Sequence, residues 1–404
     1  MRTISTAATS AELTRYAIGS MIPDQVVHPA NEQEAAQTLL AARNAGETAV
    51  PVGGATLLDV GDPPSSYALA VVTDRISGIV EYNPGDLTIV VRAGTTLGEV
   101  EAELHEHRQF LSVQAPFPSR ATIGGTLAAN VTGPLRLAYG SVRDAVIGTR
   151  VALPSGHVAK SGGRVVKNVA GYDLSKLFIG SFGTLGIIVE AAFKVFPLPV
   201  TRRVLVAPAA GVSAAMDFAA TVARLGPGLL SLAVVNDPLA RAMKLERSST
   251  IVLVGGTAEA TEELIAEICS RASSPKVQTL CEPESTEIMD ALQDFPGRAT
   301  VRMSARISRP FASTAESAEI EALSYPTIGT SFLCAPNWNS DDVAAVRQDA
   351  ARSGGNVVVW RRSPGLEGVS TWGELGPELA LMRAVKSVFD PQRTMSPGRF
   401  VGDI

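Results

Sequence analysis

The sequence predicts an α+β fold in more than one domain, on three observations. Glycines crowd into loops between strand-like runs up to Gly186 and thin out afterwards. A strand–loop–helix order opens the chain, and a series of strands and Ala-rich helices follows later. Pro197 and Pro199 close a β-run and mark the change between these two patterns. The 404 residues suggest two or three domains at a typical domain size of roughly 150 residues. Hydrophobic residues make up 46% and charged residues 19%, so a large core can be buried and a mostly disordered chain is excluded.

The elements follow in order from about Ser20. Glu32 to Ala45 reads as a helix, with Ala35, Ala36, Leu39 and Leu40 on one face and Gly46 as its stop. Ala49 to Val52 is a short buried strand that runs into Gly53-Gly54-Ala55-Thr56, and Leu87 to Arg92 is β-rich. Thr96 and Glu99 form a capping box for a helix that turns Leu97, Val100 and Leu104 inward. Ile187, Val189, Ala191, Phe193 and Val195 alternate with Ile188, Glu190, Ala192 and Lys194, which predicts a half-buried strand. Beyond the prolines, Ala258 to Ile268 reads as a helix and Val301 to Ile307 as a strand. Leu379 to Phe389 is a helix stopped by Asp390-Pro391.

Charge and cysteine content exclude several classes. A net charge of −5 argues against nucleic acid or an acidic membrane as partner. Cys269, Cys281 and Cys334 include no C-x-x-C pair, so no zinc site or iron–sulfur cluster assembles locally, and a reducing cytosolic compartment is expected. Met1 to Glu12 lacks the apolar stretch of a signal peptide. Leu177 to Val200 is apolar but broken by Gly180, Gly183 and Gly186 and carries Glu190 and Lys194, so no membrane span is expected there. His105 and His107 form H-x-H on a helix, where their side chains diverge by about 200°, and they are expected at the surface rather than on a shared metal.

The glycine clusters at Gly53–Gly61, Gly124–Gly140, Gly162–Gly186 and Gly354–Gly376 read as ligand-cradling loops rather than as ordinary turns. There is no G-x-x-x-x-G-K-[ST], and no G-x-G-x-x-G follows the first strand. A dinucleotide can still be held if main-chain N–H groups form anion nests at Gly53–Thr56 and Thr122–Gly125.

Three stretches make these loops recognisable: Pro51-Val-Gly-Gly-Ala-Thr56, Ala121-Thr-Ile-Gly-Gly-Thr-Leu-Ala-Ala-Asn130 and Tyr139-Gly-Ser-Val-Arg-Asp144. They resemble the FAD-binding domain of the vanillyl-alcohol oxidase/p-cresol methylhydroxylase (PCMH) superfamily. The run from Gly162 to Leu174 resembles the hydroxyacid branch of that superfamily, and most of all the FAD-binding, E-type subunits of bacterial glycolate oxidases. The resemblance covers about residues 20–199. It is traceable in Arg302-Met-Ser304, in Gly354 to Arg361 and in Phe389 to Phe400. It implies a two-part PCMH-type FAD-binding domain over 1–199, then an α+β (ferredoxin-like) cap over 200–375, with a tail over 376–404 that returns to the flavin.

The resemblance also implies roles. Val52, Gly53, Gly54, Ala55 and Thr56 would wrap the FAD diphosphate, and Thr122, Ile123, Gly124 and Gly125 would close over it. Asn130, Gly133, Tyr139, Gly140 and Asp144 would line the flavin and ribitol. Gly183, Gly186 and Ile188 would bring backbone to the adenosine half. Some relatives attach FAD through a His in the first glycine loop; Ala55 and Thr56 stand there instead, which implies non-covalent FAD. The tail has Ser396 where the family commonly has Asn.

Catalysis is less legible. Arg143 or Lys167 could stabilise charge near flavin N1, with a surface ion pair such as Lys167–Asp173 as the alternative. Arg302, Arg306 and Arg361 could clamp a carboxylate, or form ion pairs. The only histidines are His28, His105, His107 and His157, so the later region has no histidine base; Tyr325 is available but nothing singles it out. Trp338, Trp360 and Trp372 are expected in the core or at an interface. The expected role is the FAD-binding subunit of a glycolate oxidase-type complex acting on a small 2-hydroxy acid with a second FAD subunit and an iron–sulfur subunit. It would be cytoplasmic, with any inner-membrane attachment made through partners. The alternatives are a self-sufficient FAD-linked dehydrogenase and a flavin-carrying scaffold.

Overall fold

The computed structural model describes residues 9–163, 173–272, 277–305 and 319–404. The chain forms two compact units: Met1–Thr132 with Ser141–Pro197 and Glu374–Ile404, and Gly133–Gly140 with Leu198–Gly373. Residues 133–140, expected in the first domain, therefore group with the second unit. The short helix Arg136–Tyr139 explains this, because Leu137 packs on the second unit's core of Leu229, Leu232 and Val234.

The first unit has two main sheets. Strands β1 (Gln25–Val27), β2 (Ala49–Val52) and β3 (Leu69–Val72) form a parallel sheet in the order β1-β3-β2. The crossover from β1 to β2 is the helix Glu32–Ala45. Asn31 caps its start by accepting from the Gln33 and Glu34 amides, and Gly46 closes its end at φ 70°. Ala35, Ala36, Leu39 and Ala42 are its buried face, while Leu40 is half-buried.

The second sheet is antiparallel. It contains β4 (Ile79–Asn83), β5 (Thr88–Arg92), β7 (Val146–Ala152), β8 (Val158–Gly162) and β9 (Ile187–Lys194), in the order β4-β5-β9-β7-β8. A further pair joins β6 (Gln109–Phe110) to β10 (Phe196–Pro197). The helix Leu97–Glu106 has the expected Thr96–Glu99 capping box, and Leu97, Val100 and Leu104 are fully buried.

Strand β9 departs from the sequence reading. It lies between β5 and β7 and is buried on both faces, with only Glu190 and Lys194 half-exposed. Its pairing with β7 steps from Arg150↔Glu190 to Val151↔Ile188, so Val189 is an extra, bulged residue. The bulge switches faces. Ile188 joins Ala191 and Phe193 in one core, while Ile187 and Val189 pack with Ala35, Leu39 and Val71 in another. A strict alternation cannot reveal such a step.

The C-terminal helix Glu378–Phe389 ends at Asp390, and a charge pair sits at that end. The Lys386 ammonium donates to Asp390 Oδ2 at 2.7 Å, to the Thr184 carbonyl at 2.7 Å and to the Met395 carbonyl at 2.8 Å. Asp390 accepts from the Thr394 and Met395 amides at 3.1 and 2.8 Å. Burial pushes the Lys386 ammonium below its ordinary pKa, and Asp390 opposes that shift. The tail then runs beside β2: the Ala49 amide donates to the Thr394 carbonyl at 2.8 Å, and the Ser396 amide donates to the Ala49 carbonyl at 2.9 Å.

The second unit is one eight-stranded sheet. Its strands are β11 (Thr201–Pro208), β12 (Leu229–Val235), β13 (Ser249–Gly256), β14 (Gln278–Leu280), β15 (Val301–Ser304), β16 (Glu321–Tyr325), β17 (Thr330–Cys334) and β18 (Asn356–Val359). The order β14-β11-β13-β12-β16-β17-β15-β18 reads as two antiparallel halves. Each half has its fourth strand, first, third and second side by side, and the second strands β12 and β16 join the halves. The helices Val212–Val222 and Ala258–Arg271 cross over in the first half, which makes it ferredoxin-like. Ser340–Arg352 is the matching helix of the second half; residues 306–318, between β15 and β16, lie outside the described set. The expected strand Val301 to Ile307 is β15, which ends at Ser304, before the described Ala305; residues 306 and 307 lie outside the described set. Trp338 and Trp360 are core residues at 2% exposure, and Trp372 is half-buried. The fold is α+β, as the sequence predicts.

Removing one member of a buried, hydrogen-bonded ion pair leaves the other charge uncompensated. Asp390→Ala is therefore expected to lower the unfolding free energy by about 3–5 kcal/mol in urea melts. A change below about 1 kcal/mol would show that the pair does not hold the tail.

Candidate functional site

The strand β2 ends at Val52, and two glycines follow. A Cβ at Gly53 would lie 2.1 Å from Thr122 Oγ1, and one at Gly54 would lie 1.7 Å from the Arg120 carbonyl oxygen. Only hydrogen fits at either place, so the first bend can lie against the segment 120–122. Ala55 follows in the left-handed region at φ 55°. Among the described residues, no backbone hydrogen bond engages the Gly53, Gly54 or Ala55 amides. Unpaired amides on successive residues of a tight bend form a nest for an anion.

The second bend is built differently. Thr122 caps the helix Ile123–Ala129 and accepts from the Gly125 amide at 3.3 Å. The Ile123 amide donates to the Thr95 carbonyl at 2.9 Å and the Gly124 amide to the Ala93 carbonyl at 2.8 Å. The Ala93 amide in turn donates to the bulged Val189 carbonyl at 3.0 Å. These amides are spent inside the protein. The expectation that Thr122–Gly125 offers a second set of main-chain donors needs correction: this bend supplies a close wall, and Gly124 keeps it close because a Cβ would sit 2.8 Å from Ala93 Cβ.

Together these bends line a cleft that is partly open to solvent. It gathers Val52, Gly53, Gly54, Ala55, Thr56, Thr122, Gly124, Gly125, Gly183, Gly186 and Ile188. Sequence reasoning missed Leu57, Thr73, Thr126, Phe182 and Ile187, which also line it, and above all Arg399. Among the described residues the lining contains no His, Cys or Tyr. Gly183 stands at φ 70° beside Pro51, and its carbonyl accepts from Ser396 Oγ at 3.3 Å. Ser396 thus holds the wall of the cleft.

Arg399 is the cleft's cation. It is 3% exposed, and its Nη2 donates to the Leu58 and Val60 carbonyls, each at 2.8 Å. Its Nε and Nη1 are buried and have no hydrogen-bond partner among the described residues. Burial pushes its pKa down to about 10, against the pull of Tyr67, Asp59 and Asp62, so it stays charged at neutral pH. A buried donor left unsatisfied costs about 1–3 kcal/mol, and more when charged. The only sequence signal for this residue was a basic side chain directly after Gly398 in the tail motif.

Other expected site residues fall elsewhere. Ile123 is buried behind the wall, and Asn130 ends the same helix in the left-handed region at φ 49°. Asp144 Oδ2 accepts from the Ser141 amide and hydroxyl, both at 2.7 Å. Gly133, Tyr139 and Gly140 belong to the second unit, where burial raises the Tyr139 pKa. Arg143 is exposed, and its Nη2 donates to the Lys176 and Ile179 carbonyls at 2.8 and 3.1 Å, which caps the helix Ser175–Phe178. Lys167, Asn168, Tyr172 and Arg306 lie outside the described residues, and Asp173 faces Lys176 at 3.6 Å.

In the second unit, Arg302 lies on β15 with its guanidinium 5.3 Å from the Trp360 ring centroid. Its Nε is buried with no hydrogen-bond partner among the described residues. Burial, with the charge of Arg136, lowers its pKa to about 10. Tyr325 is 2% exposed, its hydroxyl donates to the Leu292 carbonyl at 3.1 Å, and burial raises its pKa, so it is not poised as a base. His105 and His107 are both exposed.

Comparison with known proteins places these features. Residues 23–162 match the family described as FAD binding domain, and residues 372–400 match the C-terminal domain of FAD linked oxidases. The chain is 27% identical to glycolate oxidase subunit GlcD of Bacillus subtilis (strain 168) over 94% of this chain and 89% of that one. It is 45% identical to glycolate oxidase subunit GlcE of Escherichia coli (strain K12) over 141 residues, 35% of this chain and 40% of that one. Its fold is similar to that of p-cresol methylhydroxylase with substrate bound, at a TM-score of 0.72 and 14% identity over 97% of this chain and 93% of that one. The two matched segments are those of FAD-binding and FAD-linked oxidase domains, and the cofactor is FAD.

The bends can touch only while Gly54 lacks a side chain. Gly54→Val is expected to yield a folded chain, by circular dichroism, that carries less than about a tenth of the wild-type flavin after purification. Full flavin content in this variant would show that the close approach is not needed.

Proposed function

We propose that this chain is the FAD-binding subunit of a glycolate oxidase-type complex that oxidises a small 2-hydroxy acid to the 2-oxo acid. The observation that carries the subunit reading is the lack of a base. Among the described residues no His, Cys, Tyr, Asp or Glu lines the cleft, Tyr325 is buried with its hydroxyl bonded, and no histidine follows His157 in the sequence. Oxidising a 2-hydroxy acid removes a hydride equivalent from the α-carbon and a proton from the hydroxyl, and the proton needs an acceptor. FAD supplies the two-electron acceptor when bound. This chain's residues then act as a holder. Gly53, Gly54 and Ala55 receive the diphosphate, and Thr122, Gly124 and Gly125 wall it in. Gly183, Gly186 and Ile188 present backbone to the adenosine half. With no His, Cys or Tyr in the lining, the cofactor is held non-covalently.

The similarity to glycolate oxidase subunits supports the complex. The partners would be a second FAD subunit, which supplies the base, and an iron–sulfur subunit, which takes the electrons onward. Among the described residues no group of three or more His, Cys, Asp or Glu is suited to a metal ion, so a cluster would belong to a partner. No helix of the described residues is long and apolar enough to cross a membrane. We place the chain in the cytoplasm, attached to a membrane only through its partners.

A second reading, a self-sufficient dehydrogenase, draws on Arg302. A desolvated guanidinium with an unpartnered Nε donor, 5.3 Å from the Trp360 ring centroid, suits the carboxylate of a hydroxy acid. The two readings part on turnover. The purified flavin-loaded chain, given glycolate or lactate and a dye acceptor, is expected to turn over only when its partner subunits are added. Steady turnover by the chain alone would overturn the subunit reading. In that case Arg302→Met should raise KM for the acid by roughly tenfold or more.

A further inference from the structure

We propose that Arg399 is the charged ligand of the cofactor's diphosphate, offering its unpartnered Nε and Nη1 donors to phosphate oxygens. This rests on the reading of the cleft as the FAD site. Among the described residues the cleft otherwise meets two negative phosphates with neutral groups only: every other described lining residue is Gly, Ala, Val, Leu, Ile, Pro, Phe, Ser or Thr. The second bend has spent its Ile123 and Gly124 amides on Thr95 and Ala93. Arg399 brings a full charge to the same lining. Half of its fork is already committed, since Nη2 is fixed by Leu58 and Val60. The remaining N–H groups, on Nε and on Nη1, lie on different sides of the guanidinium, and each can give a single charge-assisted N–H···O bond to a phosphate oxygen. Both atoms are buried and have no partner among the described residues.

The geometry also ties the ligand to the loop that receives it. The Leu58 and Val60 carbonyls that hold Arg399 follow directly on the bend Gly53–Thr56. The backbone of Arg399 is anchored by its amide to the Ser396 carbonyl at 3.2 Å, and Ser396 is bound to Ala49 and Gly183. The guanidinium therefore arrives in a fixed orientation, so little freedom is lost when a phosphate binds.

The test compares ADP with adenosine on the flavin-free full chain. The two ligands share the base and sugar and differ by the diphosphate. In Arg399→Gln, the Kd for ADP is expected to rise roughly tenfold or more while that for adenosine stays within about twofold. FAD binding, followed by quenching of flavin fluorescence, should weaken in step with ADP. Equal losses for ADP and adenosine would mean that Arg399 only braces the loop, and that result overturns the proposal, as does an unchanged ADP affinity. If the glutamine variant does not fold, Arg399→Lys carries the same comparison, because it keeps the charge and loses the fork. A wild-type chain that binds neither FAD nor ADP would instead sink the reading of the cleft itself.

Discussion

The Lys386–Asp390 pair is the constraint on which the first unit depends. Two opposite charges with 4% and 0% side-chain exposure are costly to bury unless each remaining donor and acceptor is used. Here they are used. The ammonium reaches the Thr184 and Met395 carbonyls, and the carboxylate takes the Thr394 and Met395 amides. The pair binds the end of the last helix to the loop before β9 and to the start of the tail. Everything the tail does follows from that knot. It lies beside β2 through Ala49, places Ser396 against Gly183, and delivers Arg399 to the cleft. About two hundred residues separate Thr184 from Lys386 in the chain, and one hydrogen bond of 2.7 Å makes them neighbours.

The cleft divides its labour between shape and charge. Glycines give shape, because Gly53, Gly54 and Gly124 each stand where a Cβ would collide with the opposite loop. The chain Gly124–Ala93–Val189 of backbone hydrogen bonds fixes the second bend to the bulge in β9. A bend stitched in that way is rigid but has little left to donate. On the proposed reading of the cleft, the anion would be met by the first bend and by a side chain from the far end of the sequence. Both contributions are pre-organised, which reduces the entropy lost when the cofactor binds.

The second unit shows what the chain lacks as much as what it has. Two antiparallel halves with the same strand order join through their second strands and make a broad sheet. Within it Arg302 rests on Trp360 as a desolvated cation, and Tyr325 is sealed by its bond to Leu292. Such a unit can attract an anion, and none of the four histidines of the chain lies in it.

Local chemistry was legible in the sequence. The helices Glu32–Ala45 and Leu97–Glu106 and the terminal helix carry their own caps and periodicity, and these signals act within a few residues. The glycine bends were legible too, because only glycine tolerates such close approach, and eleven of the seventeen expected cofactor residues line one cleft. What the sequence could not determine were facts about non-neighbours. The bulge at Val189 depends on pairing with β7, so the alternation of β9 misled about its faces. Residues 133–140 joined the second unit because Leu137 finds its core there. Whether the Ile123 and Gly124 amides were free depended on carbonyls about thirty positions earlier, and the role of Arg399 depended on Leu58 and Val60, more than three hundred positions away. Propensity and spacing are local quantities, whereas burial and hydrogen-bond satisfaction are settled only when the whole chain has folded.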